Sequence, residues 1–507
     1  MKRSCGILLP VASLPSRYGI GSFSKEAYAF VDFLAAAGQS YWQILPLGQT
    51  GYGDSPYQSF STFAGNPYFI DPEKLVEAGY LSSSALKKYD FGDNRDYIDY
   101  EKIYLARFPM LWEAYQNSPY ALKVKEKWTG SSYDGDRAAF EQFLRENEEW
   151  LPDYALYSAV KKQMDSMSFI EWEEDIRRRR PEALARYRQT LADEIRFWEF
   201  QQYLFYQQWT DLKRYANDRG ILIIGDIPIY VAFDSADTWS RPELFELDEN
   251  GYPTVVAGCP PDAFSATGQL WGNPIYRWEY HKENGYEWWI SRLKKCFELY
   301  DVVRIDHFRG FDEFYAIPFG DKTAQNGRWR KGPGYDLFAA MEEKLGRQAI
   351  IAEDLGYMTD SVRELVARTG YPNMKVLQFA FDSREDSDYL PHNYPMNCVV
   401  YTGTHDNETM RGWYSDVREE DRRYAADYIG IRRESEASWA SIRTAFMSVG
   451  DTVIIPMQDY LNRGNEARIN HPSTIGGNWK WRMRTKDMNK KLADRILQLA
   501  EIYKRQR

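Results

Sequence analysis

The feature that most constrains this chain is a series of eight short apolar runs: Ile7–Leu9, Tyr41–Leu45, Ile221–Ile227, Val302–His307, Ala349–Asp354, Lys375–Phe379, Val399–His405 and Thr452–Ile455. Each is continuous rather than alternating, the pattern of parallel strands covered on both faces. Helical periodicity fills most of the gaps. Ala27, Phe30, Val31 and Leu34 sit at i, i+3, i+4 and i+7 and end at Gly38, and a second pattern runs from Thr359 as N-cap through Val362, Leu365 and Val366 to Gly370. Strands alternating with helices in this number predict an α/β chain folded as a (β/α)8 TIM barrel. Pro10, Pro46, Pro228 and Pro456 follow or close runs one, two, three and eight, where ladder hydrogen bonding stops and where a closed ring makes those runs neighbours.

Two connections are too long for barrel loops. Residues 58–218 read as a mostly helical inserted subdomain, with Phe197, Phe200, Leu204, Phe205, Trp209 and Leu212 on one apolar face. Residues 232–286, rich in Gly, Pro and aromatics, read as a long loop over the barrel mouth. Both are helical or loop insertions at the C-terminal face of one catalytic unit spanning 1–507. The Arg177–Arg180 run, flanked by Glu173, Glu174, Asp175 and Glu182, reads as a solvated helix face.

Composition removes other classes. With 64 Lys+Arg against 74 Asp+Glu the net charge is −10, so no basic face is available to neutralise phosphates and nucleic acid is excluded as a partner. Lys2 and Arg3 before the short apolar stretch to Leu14 resemble a signal peptide weakly, but Pro10 interrupts it and a buried first strand is preferred. The uncharged stretch Phe33–Gly53 is broken by Gln39, Ser40, Gln43 and glycines, so no membrane span is expected. Cys5, Cys259, Cys296 and Cys398 form no C-x-x-C pair, which suits reduced thiols and a cytoplasmic location. No P-loop, G-x-G-x-x-G, G-x-S-x-G or H-E-x-x-H occurs, and neither metal nor cofactor is expected.

Barrel enzymes work at the C-terminal ends of their strands, and here those ends are acidic. Run three ends at Asp226, run four at Arg304-Ile-Asp306-His307, run five at Glu353-Asp354, and run seven leads into His405-Asp406-Asn407. Arg304 and Asp306 are two apart, so both leave the same face of the strand, and the guanidinium favours an ionised Asp306. Glu353 comes from the next strand, and the negative charge of Asp306 helps it keep a proton. An ionised nucleophile beside a proton donor is the pair that cleaves glycosidic bonds with retention. A single acid at a strand end is more often a cap or a loop anchor; the convergence of several carries the reading. His307 and His405 adjoin these acids, where they could donate to sugar hydroxyls.

Eight motifs occur in order: Ser13-Leu-Pro-Ser-Arg-Tyr-Gly-Ile-Gly-Ser22, Gly53-Asp-Ser-Pro-Tyr-Gln58, Gly225-Asp-Ile-Pro-Ile-Tyr-Val231, Leu270-Trp-Gly-Asn-Pro274, Arg304-Ile-Asp-His-Phe-Arg-Gly310, Ala352-Glu-Asp-Leu-Gly356, Gly403-Thr-His-Asp-Asn-Glu408 and Glu466-Ala-Arg-Ile-Asn-His-Pro472. With them the chain resembles, over nearly its whole length, the 4-α-glucanotransferases (amylomaltases, disproportionating enzymes) of the α-amylase superfamily. The resemblance implies transfer of α-1,4-glucan segments from maltooligosaccharides or amylose to glucose or a growing glucan. It implies Asp306 as nucleophile, Glu353 as general acid/base and Asp406 as a third carboxylate gripping the reacting sugar. It places Arg304, His405, Asp226, Tyr57, Ser55, Phe379 and Asn470 at the substrate, Trp271 and the segment 258–268 over the cleft, and Tyr52 at a second glucan-binding surface. An aromatic content of 16% then has a use, since sugar C–H faces pack on Tyr and Trp rings. An α-amylase-type retaining hydrolase and a non-catalytic glucan-binding barrel are the alternatives. A debranching enzyme is a third, against which stand the chain's length and the lack of a second catalytic unit.

Overall fold

The computed structural model describes residues 3–51, 53–123, 128, 133–261, 265–356 and 358–506. Twelve strands are found among them: β1 Ser4–Leu8, β2 Tyr41–Gln43, β3 Leu222–Pro228, β4 Val255–Cys259, β5 Gln269–Pro274, β6 Val302–Asp306, β7 Glu313–Pro318, β8 Arg328–Lys331, β9 Ile350–Ala352, β10 Asn373–Val376, β11 Cys398–Tyr401 and β12 Thr452–Pro456. Eight of them close a parallel barrel in the order β1-β12-β11-β10-β9-β6-β3-β2. These are the eight apolar runs, and the fold is the expected (β/α)8 barrel.

The alternation along each strand explains the two-sided burial. Leu8, Ile224, Ile351, Met374, Val376, Val399, Tyr401 and Ile454 form a separate cluster that fills the barrel interior, as side-chain layers do in this fold. Their strand neighbours, such as Ile7, Ile223, Val303 and Ile350, join the large outer core under the helices. The helix signals hold: Lys25–Ala36 ends before Gly38 at φ +67°, and Asp360–Thr369 starts where the Val362 N–H donates to Thr359 and stops at Gly370, φ +68°.

Several helices lie between β2 and β3. The last, Ala192–Asp218, is 27 residues, about 40 Å at 1.5 Å per residue, and it serves two cores. Near its start Phe197 and Phe200 pack on Tyr115. Further on, Trp209 packs on Phe23 and donates to the Leu299 carbonyl at 2.9 Å, against the barrel's own helices.

Two strand assignments differ from the sequence expectation. Residues 232–286 contain β4 and β5, which join β7 and β8 in an antiparallel sheet of order β5-β4-β7-β8. Its glycines and prolines suggest only loop, yet Gly258 is what lets β4 approach β5, since a Cβ there would lie 2.1 Å from the Gln269 carbonyl oxygen. The sixth apolar run stops being strand at Val376 and turns through a 3-10 segment, Leu377–Ala380. Phe379 is therefore 41% exposed rather than part of the barrel wall.

Candidate active site

Strand register assembles the site before any side chain is considered. Asp226 on β3 pairs with Arg304 on β6, Pro228 with Asp306, and Ile305 with Ala352 on β9. Beyond β9 the ladder continues: the Glu353 N–H donates to the Ile305 carbonyl and the Phe308 N–H to that of Glu353, which sets Glu353 opposite Asp306. Parity does the rest, because Asp226, Arg304, Asp306 and Glu353 each lie two residues from an interior position or from one another.

Arg304 is the hub. It is 3% exposed, donates to both oxygens of the fully buried Asp226 at 2.8 and 2.7 Å, and pairs with Asp306 at 2.8 Å. Burial pushes the Asp306 carboxyl up, and Arg304 opposes that shift. Glu353 has no cation in contact among the described residues, and burial together with the charge of Asp306 pushes it up to about 8. Of this coupled pair, Asp306 therefore ionises first and Glu353 keeps its proton near neutrality. Two backbone N–H groups orient Glu353: that of His307 on Oε2 and that of Leu355 on Oε1, both at 2.7 Å. His307 reaches it through a left-handed backbone at φ 55°, a strained conformation for a non-glycine residue.

The network continues across the cleft floor. The Tyr57 hydroxyl donates to Asp226 at 3.0 Å and lies 3.5 Å from His405 Nδ1, with the two rings stacked at 5.1 Å. His405 Nε2 is 3.3 Å from Asp406 Oδ2, and Asn470 donates to Asp406 Oδ1 at 2.6 Å. Burial would raise Asp406, but His405 and Asn470 outweigh it and hold the carboxyl well below the usual range, so it is a permanent anion. Burial alone would lower His405; Asp406 raises it on balance.

One buried acid outside this chain of contacts holds the loop that carries His405 and Asp406. Asp459, 0% exposed, accepts from the Thr402 hydroxyl at one end of the loop and from the Met410 N–H at the other, at 2.5 and 2.7 Å. Replacing Asp459 by Ala orphans the Met410 N–H and frees the loop. It should cost about 1–3 kcal/mol of stability and about 10²-fold in kcat, measurable by urea unfolding and by steady-state turnover.

Most sequence-derived positions converge on this floor, with some changes of role. Both ring nitrogens of His405 already face Tyr57 and Asp406. The His307 ring is held neutral by burial, which lowers it to about 3, and packs edge-on against Trp271 at 4.8 Å, so its backbone rather than its ring serves the acid. Ser55 caps the turn that presents Tyr57 by accepting that residue's N–H at 3.3 Å. Phe379 stands at the rim against Tyr389. Tyr52 and residues 262–264 of the segment 258–268 lie outside the described residues. Trp479, 5.9 Å from both Tyr57 and His405, was not legible in the sequence. Asp459 was also missed; its one sequence signal is that it lies four residues beyond the eighth apolar run. Among the described residues no cluster of His, Cys, Asp or Glu fits a metal ion, and no helix is long and apolar enough to cross a membrane.

A (β/α)8 barrel whose C-terminal mouth holds an arginine-paired carboxylate facing a proton-retaining carboxyl is the equipment of an enzyme that works on glycosidic bonds through a covalent intermediate. The family model described as 4-alpha-glucanotransferase matches residues 9–488. The 4-alpha-glucanotransferase of Streptococcus pneumoniae is 51% identical over 99% of this chain and 98% of its own, and that of Thermus thermophilus is 46% identical over 100% and 99%. The amylomaltase from Streptococcus agalactiae, solved in complex with acarbose, superposes with a TM-score of 0.95 at 43% identity, covering all of both chains. The chain belongs to the 4-alpha-glucanotransferase family.

Proposed function

We propose that the chain moves α-1,4-glucan segments between maltooligosaccharides or amylose and an acceptor, glucose or a growing glucan, with the residues in the following roles. Asp306 attacks the anomeric carbon of the donor while Glu353 gives its proton to the departing glycosidic oxygen, leaving a covalent glycosyl-Asp306. The 4-hydroxyl of the acceptor then attacks that carbon, Glu353 takes its proton, and Asp306 leaves as a carboxylate. The stereochemistry at the anomeric carbon is inverted twice and so retained. Asp406, always charged, accepts from hydroxyls of the reacting sugar, with Asn470 and His405 fixing its orientation. Arg304, Asp226 and Tyr57 hold the nucleophile's surroundings, and Ser55 and Phe379 shape the walls.

The observation that carries this reading is the pairing of Asp306 with Arg304 at 2.8 Å opposite a Glu353 oriented by two backbone N–H groups, and burial with the charge of Asp306, which pushes Glu353 up to about 8, supports it. Acceptor choice is assigned to the cover. The described residues of 232–286, with Trp271 resting on His307, cover the cleft, keep water from the glycosyl-enzyme and favour a sugar hydroxyl. The second glucan-binding surface is assigned to Tyr52, and the enzyme to the cytoplasm.

Maltotriose supplies the test. It should be converted to glucose and longer oligomers with almost no rise in total reducing ends, read by chromatography beside a reducing-sugar assay. A steady rise would point to a hydrolase, and binding without turnover to a non-catalytic barrel.

A further inference from the structure

The first of the eight sequence motifs takes no part in the site above, and its Arg17 and Tyr18 line a different cavity. This cavity, of about 370 Å³, lies where the loop after β1 meets the start of the helical insertion, and Glu73, Lys87, Tyr89 and Phe91 complete its chemistry. Its size falls within the range of small-ligand sites, about 300–1,000 Å³. We propose that this cavity is an accessory binding site for a short stretch of α-1,4-glucan, a neutral polyhydroxylated chain; the inference rests on the reading of the protein as glucan-acting.

Three observations point to that ligand chemistry. The first is a polar triad at the rim. Arg17 Nε donates to the Tyr18 hydroxyl at 2.8 Å, and Glu73 Oε1 receives both Tyr18 at 3.1 Å and Arg17 Nη2 at 2.5 Å. Arg17 Nη1 and Glu73 Oε2 take no partner among the described residues. A donor and an acceptor thus stand side by side, which matches two adjacent sugar hydroxyls, one accepting and one donating. The second is the wall: Tyr89 and Val76 are half-buried, over buried Phe91 and Leu86, and offer apolar surface on which a pyranose C–H face packs. The third is charge. Arg17 and Lys87 are balanced by Glu73 and Glu77, so the site has no cationic excess to select a phosphate and no anionic excess to select a cation.

Its place in the fold also suits a long substrate. Arg482 donates to the Ser16 carbonyl, next to Arg17, and to the Asn94 carbonyl at 3.2 Å. Three residues earlier on the same segment, Trp479 packs against Tyr57 and His405 at the cleft floor. Gly19, at φ +75°, locks the other wall, since a Cβ there would lie 2.1 Å from the Phe91 carbonyl oxygen. The cavity is thus tied to the catalytic cleft through one short segment, and a glucan long enough to reach both would be held at a raised effective concentration at the cleft.

The test uses affinity electrophoresis of the full chain in native gels with graded amylose. The chain carries Asp306→Asn, so that the glucan is bound and not consumed. Adding Arg17→Ala with Glu73→Ala should weaken retardation at least about 3-fold in apparent dissociation constant. The same pair of substitutions in the Asp306 enzyme should leave maltotriose disproportionation within about 2-fold. Unchanged retardation overturns the site. A second measurement needs no change at the cavity: phenylglyoxal modification of Arg17 should be slowed by maltoheptaose and not by glycerol, and equal rates overturn the proposal. Failure of the unsubstituted enzyme to disproportionate maltotriose would instead remove the transferase reading, whatever Arg17 does.

Discussion

Replacing Asp306 by Ala is expected to abolish glucan transfer, lowering kcat on maltotriose by about 10⁴-fold or more, as losses of a covalent nucleophile do. The fold should survive it. Arg304 keeps its two bonds to Asp226, so no buried charge is left alone, the circumstance that makes breaking an ion pair costly. Asp306 is itself disfavoured by burial, and removing a desolvated carboxylate at a working site tends to leave stability unchanged or improved. Thermal unfolding of the variant should therefore match or exceed that of the parent while activity is lost. Azide gives an independent check, because a small anion entering the space of the missing carboxylate can attack the anomeric carbon and yield a glycosyl azide of inverted configuration. Persistent α-retaining transfer by the variant would show that another group is the nucleophile.

How much of this was open to reading from sequence depends on the kind of signal each part leaves. The barrel was legible because its strands are buried on both faces and so appear as unbroken apolar runs, and because Gly38 and Gly370 mark helix ends by conformation. The acids of the site were legible because a charged residue at the end of such a run has nowhere to go but the mouth. The antiparallel sheet was not, since all four residues of β8, Arg328–Lys331, are exposed and β4 is short and glycine-bearing, so neither shows a period. Contacts made through the backbone were equally silent. The bond from the His307 N–H to Glu353 depends on a left-handed residue that no propensity marks, and Trp479 reaches the cleft from a loop at φ 63° among glycines and asparagines.

Glu353 provides the second large effect, and its signature differs from that of Asp306 because the two act in opposite protonation states. A general acid must hold its proton in the free enzyme, so kcat/KM should be full below and lost above a midpoint near 8, the value to which burial and Asp306 lift this carboxyl. On the acid side kcat/KM should fall as Asp306 takes up a proton, giving a bell. Glu353→Ala should lower kcat on maltotriose by about 10³-fold or more and erase the basic limb from whatever activity is left. Its defect should depend on the leaving group. α-Maltosyl fluoride loses fluoride without needing a proton, so glycosyl-Asp306 should still form in Glu353→Ala and then persist, because no base remains to activate the acceptor hydroxyl. Mass spectrometry of the quenched variant should find that adduct on the peptide containing Asp306, and azide should discharge it to a product of retained configuration. Equal losses with maltotriose and with the fluoride would mean that Glu353 does not supply the proton, and a basic limb unchanged in the variant would assign it to another group.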